Sequence, residues 1–324
     1  MYQIAAYNHA SSEVKSISSL FEVSEYIAKY GVVWLDITVP APKDIEDLGA
    51  IFGFHRLALE DCFHTTQRAK VDNFGDHFFA IIKAAKYETS ASAYQISVFV
   101  GKNYIVTVRE KDDPALITPI FENIRLKMPA VMKNGTDYLF YLLIDKVVDD
   151  YLPIFDIIDD KIEDIESGIL SEKIDSGGHM QEIFSLKKEI LILRKAVFPT
   201  IEMVTCLQRG DLPNINKKTA IYFNDVYDHI VEVIDLLETS RELISGALDI
   251  HMSKTQNTIN EVAKMFAVFA IILMWPSVIG AIYGMNFDLP EEQLFGKNAY
   301  FVALGLMIVM MVASWAYFRV KKWV

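Results

Sequence analysis

From Met265 to Tyr283 the chain reads MFAVFAIILMWPSVIGAIY, with no acidic or basic side chain. A helix of that length covers about 30 Å at 1.5 Å per residue, the thickness of a bilayer's hydrocarbon core. A second such run, AYFVALGLMIVMMVASWAYF, extends from Ala299 to Phe318. Two long uncharged stretches beside each other predict two C-terminal transmembrane helices, over 264–284 and 299–318. The alternative is a pair of helices buried in a soluble domain. Pro276 lies within the first span and predicts a local kink, which neighbouring helices or water can satisfy inside a membrane.

The flanks set an orientation. Lys264 borders the first span and Arg319, Lys321 and Lys322 follow the second, whereas the 285–298 connector holds three acids and one lysine. The positive-inside rule therefore places both termini in the cytoplasm of an inner or plasma membrane, with the connector outside. Trp315, Tyr317 and Trp323 sit where an inner aromatic belt would form. The short 319–324 tail is basic, and its cations are expected around an inner mouth or as interfacial anchors.

Charge separates this end from the rest. Of the formal net charge of −12, the stretch from Lys264 onward contributes five basic against three acidic side chains, so the first 263 residues carry −14. A body that negative repels nucleic-acid phosphates and attracts cations. Its two cysteines, Cys62 and Cys206, suit a reducing compartment better than a disulfide framework. The opening MYQIAAYNHASSEVKS lacks the basic and apolar regions of a secretory signal.

Within the body, residues 1–136 read as a compact α/β domain. Short β-branched or aromatic runs at Gly31–Asp36, Phe78–Lys83, Gln95–Val100 and Tyr104–Arg109 predict strands, and Ser18–Tyr30 and Pro42–Phe52 have helical spacing. Residues 137–263 read as helical. Tyr138–Ile165 and Met180–Val197 suggest an antiparallel pair turning around Asp175-Ser-Gly-Gly178, with Pro199 and Pro213 as punctuation. From Lys217 one helix is expected to run as a stalk into the first span. The predicted class is thus α+β with a long helical stalk and two membrane helices. Along the stalk Val226, Ile230, Val233, Leu237, Ser240, Ile244 and Leu248 recur at steps of four and three, which fits either a seam between identical neighbours or packing on the chain's own helices.

The connector opens Tyr283-Gly284-Met285-Asn286-Phe287. A Gly-Met-Asn string directly after the first of two C-terminal spans, with a basic tail after the second, resembles the signature of the CorA family of magnesium channels. The likeness extends through LALEDCFHTTQRAKVDNF (Leu57–Phe74), YLLIDKVVDDY (Tyr141–Tyr151), YFNDVYDHI (Tyr222–Ile230) and Asn260–Lys264. The resemblance implies a homopentamer in which the first span lines a pore for Mg²⁺, and also for Co²⁺ or Ni²⁺. Gly284, Met285 and Asn286 would form the outer filter. Neutral amide and carbonyl oxygens suit an ion that dehydrates reluctantly, because they can hold it through its water. Asn260 and Ser277 would supply polar rings deeper in the pore, and Ala263, Phe266, Met274 and Ala281 the remaining lining. Ala263 and Phe266 stand where the family more often has Met or Leu, and Trp275 replaces a usual small residue or proline.

The same resemblance implies that Glu60, Asp61, Asp145 and Asp225 bind regulatory Mg²⁺ between subunits. Without it, these acids read as solvated helix faces. A zinc transporter of the same superfamily shares the architecture, but the seven histidines and two cysteines show no CxxC or HxxxH arrangement. A membrane-anchored enzyme or signalling protein is the more distant reading, since no P-loop, dinucleotide fingerprint, nucleophile elbow or zincin motif occurs. Asn134-Gly-Thr136 is a glycosylation sequon by pattern, expected on the cytoplasmic side and unmodified.

Overall fold

The computed structural model describes residues 2–8, 11–113, 116, 119–120, 132–171, 178–285 and 296–323. They fall into two compact units, Met1–Leu170 with Gly177–Ala247, and Ser171–Ser176 with Leu248–Val324.

The first unit is built on a seven-stranded sheet in the order β2-β1-β3-β7-β6-β5-β4. Its strands are β1 (Tyr2–Asn8), β2 (Ser11–Ile17), β3 (Val32–Thr38), β4 (Lys70–Asn73), β5 (Phe78–Tyr87), β6 (Ala91–Val100) and β7 (Tyr104–Arg109). Only β3 and β7 pair in parallel. Helices α1 (Val23–Lys29), α2 (Pro42–Phe52) and α3 (Arg56–Asp61) cover one face. There Val23, Leu48 and Ala58 pack with Leu35, Phe79, Ile81 and Phe99.

The other face carries Phe78, Ala80 and Ile82 toward the later helices, and Phe78 meets Phe140 edge-on at 5.1 Å. Burial on both faces explains why β5 and β6 read as nearly unbroken apolar runs rather than alternating ones. A buried ion pair locks the parallel step: Arg109 Nη2 donates to Asp36 Oδ2 at 2.7 Å and Thr107 Oγ1 donates to Asp36 Oδ1 at 2.6 Å.

All four predicted strands and both predicted helices are present, with β5 and β6 several residues longer than expected. The β1–β2 hairpin, α3 and β4 are additions. The hairpin's second strand sits at the sheet edge, where a polar run such as Ser-Glu-Val-Lys-Ser-Ile carries little alternation to read.

The helical segments are α4 (Thr136–Asp149), α5 (Leu152–Ser171), α6 (Gly178–Arg209), the single turn α7 (Lys217–Ala220), α8 (Tyr222–Tyr283) and α9 (Ala299–Val320). Two expectations need correction. The helix predicted over Tyr138–Ile165 breaks at Asp150–Tyr151, because Pro153 has no N–H for the carbonyl of Asp149 and the buried Tyr151 turns inward to donate to Lys83 O at 2.7 Å. Conversely, Pro199 does not end α6, which runs on to Arg209. The carbonyl that loses its partner belongs to exposed Lys195, where water can donate instead.

The turn expected around Asp175–Gly178 lies outside the described residues apart from Gly178. Thr136, the third residue of the sequon, is buried and donates to Gly101 O at 2.7 Å, which gives it a structural task.

The heptad stripe of α8 packs internally as far as Ile244, while Leu248 at its end is half-buried. Val226, Ile230, Val233, Leu237, Ser240 and Ile244 are all fully buried within the single chain. Ser240 Oγ donates to Asp159 Oδ1 on α5 at 2.9 Å, which accounts for the polar residue in the stripe. Helix α8 then continues unbroken through Pro276 to Tyr283.

Candidate functional site

Both α8 and α9 contain stretches long and apolar enough to cross a membrane, and most of their residues there are exposed. Asn260, Ala263, Phe266, Met274, Ser277 and Ala281 on α8, and Gly284 directly after it, all lie on the exposed surface. At 100° per residue they fall within an arc of about 120°. Val268 and Ile279 are buried on the opposite side of α8, together with half-buried Trp275.

That side faces α9, since Trp275 Nε1 donates to Ser314 Oγ at 2.9 Å. Trp275, without an evident consequence in the sequence, is thus a tie between the two spans. It orients α8 so that the stripe from Asn260 to Gly284 points away from α9.

Along this stripe Asn260 Oδ1 accepts from Gln256 Nε2 at 3.2 Å, and Ser277 Oγ donates to Leu273 O at 3.0 Å. The serine oxygen keeps its acceptor lone pairs. Gly284 closes the last turn by donating to Gly280 O at 2.9 Å. Its φ is not left-handed; a Cβ there would lie 3.2 Å from the Gly280 carbonyl oxygen, a tight contact that a side chain could occupy only if the backbone gave by a few tenths of an ångström. Met285 is exposed, and Asn286 lies outside the described residues. At the other end of the span pair, the Arg319 guanidinium sits 5.0 Å from the Trp315 ring and Trp323 stacks on Phe318. Lys321 and Lys322 are exposed.

The acidic candidates are held in two groups. Asp137, buried at the start of α4, accepts from Asn216 N and Nδ2 at 3.0 and 2.9 Å, and Tyr222 packs on Tyr138 and Tyr141. These contacts set the first turns of α8 against α4. One turn separates Asp145 from Asp149 and one turn separates Asp225 from His229, so side chains of both pairs converge.

Ligand atoms of Asp145, Asp149 and His229 lie within 4.8 Å of one another, and His229 Nδ1 is 2.9 Å from Asp149 Oδ1. Asp145 Oδ1 is buried with no hydrogen-bond partner among the described residues. Burial, then the charge of Asp149, raises the Asp145 pKa to about 6, with His229 opposing and Asp225 adding to the rise. Burial and the same acids push the Tyr141 hydroxyl up to about 12.

Glu60 and Asp61, at the end of α3, have other partners. His64 Nε2 lies 3.6 Å from Glu60 Oε1, while Asp61 is bonded to Lys70 Nζ at 2.8 Å and accepts from Gln67 Nε2 at 3.0 Å. The chain alone therefore brings Asp145 together with Asp149 and His229. Asp225 is near enough to act through its charge. Sequence reasoning did not place Asp149 or His229 in the site, although the two i,i+4 spacings were there to be read.

Residues 29–322 match the family model described as CorA-like Mg²⁺ transporter protein. The cobalt/magnesium transport protein CorA of Thermotoga maritima is 36% identical over 294 residues, 90% of this chain and 83% of that protein. The protein of the same description from Methanocaldococcus jannaschii is 23% identical, with 91% of this chain and 92% of that protein covered. The complete structure of the CorA magnesium transporter from Methanocaldococcus jannaschii superposes with a TM-score of 0.85 over 100% of this chain and 99% of that one, at 22% identity. That similarity establishes the fold from the sheet through both spans.

Proposed function

We infer, from the premise that this chain belongs to the CorA-like Mg²⁺ transporter family, that it is one subunit of a homopentameric channel admitting Mg²⁺, and also Co²⁺, to the cytoplasm. The observation that carries this reading is the bare stripe from Asn260 to Gly284. It interleaves the amide of Asn260, the hydroxyl of Ser277 and small side chains with Phe266 and Met274 on an apolar helix, turned away from α9, the other span among the described residues. Polar groups at such depth are costly against hydrocarbon, and a ring of five copies around a water-filled axis removes that cost.

In this arrangement Gly284, Met285 and Asn286 form the outer mouth, where Asn286 amide oxygens hold an ion through its water shell. Phe266, with Ala263 and Met274, forms the apolar constriction. The ion needs no chemical step: about 100 mV of inside-negative potential supplies roughly 4.6 kcal/mol for a divalent charge. The chain therefore transports rather than catalyses. Arg319, Lys321 and Lys322 lie on the cytoplasmic side with both termini, α9 faces lipid, and the acidic body receives the ion.

Control by internal Mg²⁺ falls to the acids. Asp145 keeps an unpartnered buried oxygen beside Asp149, an arrangement that a bound cation would relieve. Glu60 and Asp61 of a neighbouring subunit would complete the set with Asp145 and Asp225, bridging opposed charges and holding the ring closed. Oxygen ligands suit Mg²⁺, and His229 adds a donor that suits Co²⁺. The test is Mg²⁺ influx into liposomes at graded internal Mg²⁺. Asp225→Ala should raise the internal concentration needed for closure, and an unchanged threshold would remove Asp225 from the sensor.

A further inference from the structure

Between α6 and the loop that joins α3 to β4 lies a cavity of about 700 Å³, and none of its lining residues belongs to the stripe from Asn260 to Gly284 or to the acid cluster. Four cations line it: Arg68, Lys83, Arg194 and Lys195. No carboxylate is among its described lining residues, although the first 263 residues carry a net charge of −14. Like charges gathered in a recess repel one another, and an acidic surface offers many partners that would have relieved them. Yet Arg68 and Lys195 are exposed, and their side chains make no ion pair or hydrogen bond among the described residues.

Lys83 sits at the floor. It is buried on β5, where its Nζ donates to Thr65 O and to Gln95 Oε1 at 3.1 Å, leaving a third N–H. Burial pulls its pKa below the ordinary lysine value, so an added negative charge would be favoured there. Arg194 lies over the Phe198 ring at 5.0 Å, which props its guanidinium at the rim. Thr66 and Gln67 add neutral polar groups on the loop side, and the rest of the wall is apolar, with Leu191, Phe198 and Pro199.

We propose that this cavity binds a nucleoside polyphosphate, with the phosphates on Lys83, Arg68, Arg194 and Lys195 and the base against Leu191, Phe198 and Pro199. The volume falls within the range of small-molecule sites, and arginine forks suit phosphate oxygens. A multiply charged anion is required because a single phosphate would leave most of the four cations unmatched. The loop also connects the cavity to an acid of the sequence's sensor set, since Gln67 lines the wall and bonds Asp61 at 3.0 Å.

The test is isothermal titration of ATP into the full-length protein in detergent, in Mg²⁺-free buffer, so that neither conduction nor metal sensing bears on the outcome. Saturable, salt-weakened binding is expected, tighter for ATP than for inorganic triphosphate. The Arg194→Glu/Lys195→Glu double variant, altered only at exposed positions, should bind about tenfold or more weakly, and Arg68→Ala should weaken binding in the same direction. Absence of saturable binding, or affinity unchanged in both variants, would overturn the proposal. Equal affinity for ATP and triphosphate would overturn the assignment of the apolar wall to the base.

Discussion

The two halves of α8 contain similar apolar residues and use them in opposite ways. From Val226 to Ile244 the stripe is buried within one chain, whereas from Met265 to Ile282 most large side chains are exposed, Phe266 by 71%. The lesson is that the first half is complete as folded in water. The second half leaves its apolar side chains without a covering surface among the described residues, which the proposed function assigns to lipid on one side and further copies on the other.

Substitution breaks the comparison most sharply in the buried half. Leu237→Lys places an ammonium at a site with no exposure, and an unpaired buried charge together with the lost side chain should cost more than about 4 kcal/mol. Thermal denaturation of the full-length protein should show the cytoplasmic transition abolished or shifted far down. The same residue in the second unit acts on a different step. Val309→Lys, at an exposed position halfway along α9, should leave the cytoplasmic transition intact and cost about 2.5–3.5 kcal/mol in membrane insertion. A translocon insertion assay measures it, and undiminished insertion would place α9 outside the membrane.

A smaller effect sharpens the account of the acids. Asp145 holds its proton in the folded state up to about pH 6 against an ordinary 3.8. The folded state thus binds more protons than the unfolded one in that window, so its stability falls as pH rises from about 4 to about 6 and stays lower above. Asp145→Asn removes that loss. With divalent ions chelated at pH 7 the variant should melt about 2–4 °C higher, corresponding to about 1 kcal/mol after solvent screening of a half-exposed carboxylate. Below pH 4 the two should converge. A variant that melts lower at pH 7 would mean that the carboxylate is stabilising without a cation.

Much of this was legible in the sequence. The two spans, the four central strands and the resemblance carried by Gly284-Met285-Asn286 needed only apolar length, β-branched runs and a motif in context. The stripe at Val226–Ile244 was ambiguous because a seam to a neighbour and a seam within the chain have the same period; the burial of all six side chains in the single chain, with Ser240 bonded to Asp159 on α5, decides between them. Proline was misleading in both directions, since Pro153 marks a break and Pro199 does not. Their difference lies in tertiary packing, with Tyr151 drawn inward near the first and solvent available at the second. Nothing in the sequence set Asp149 apart from the other acids of its segment or pointed to His229, because each belongs to an ordinary helical spacing, and their meeting depends on how Tyr222 and Asp137 dock two distant helices.

In the proposed function a ring of Asn286 amides admits a hydrated divalent ion. Mg²⁺ influx into liposomes carrying the wild-type protein or Asn286→Ala, at equal incorporation and low internal Mg²⁺, tests it most directly. Uptake should be rapid in the first and close to the protein-free leak in the second. Equal uptake by both would contradict the account.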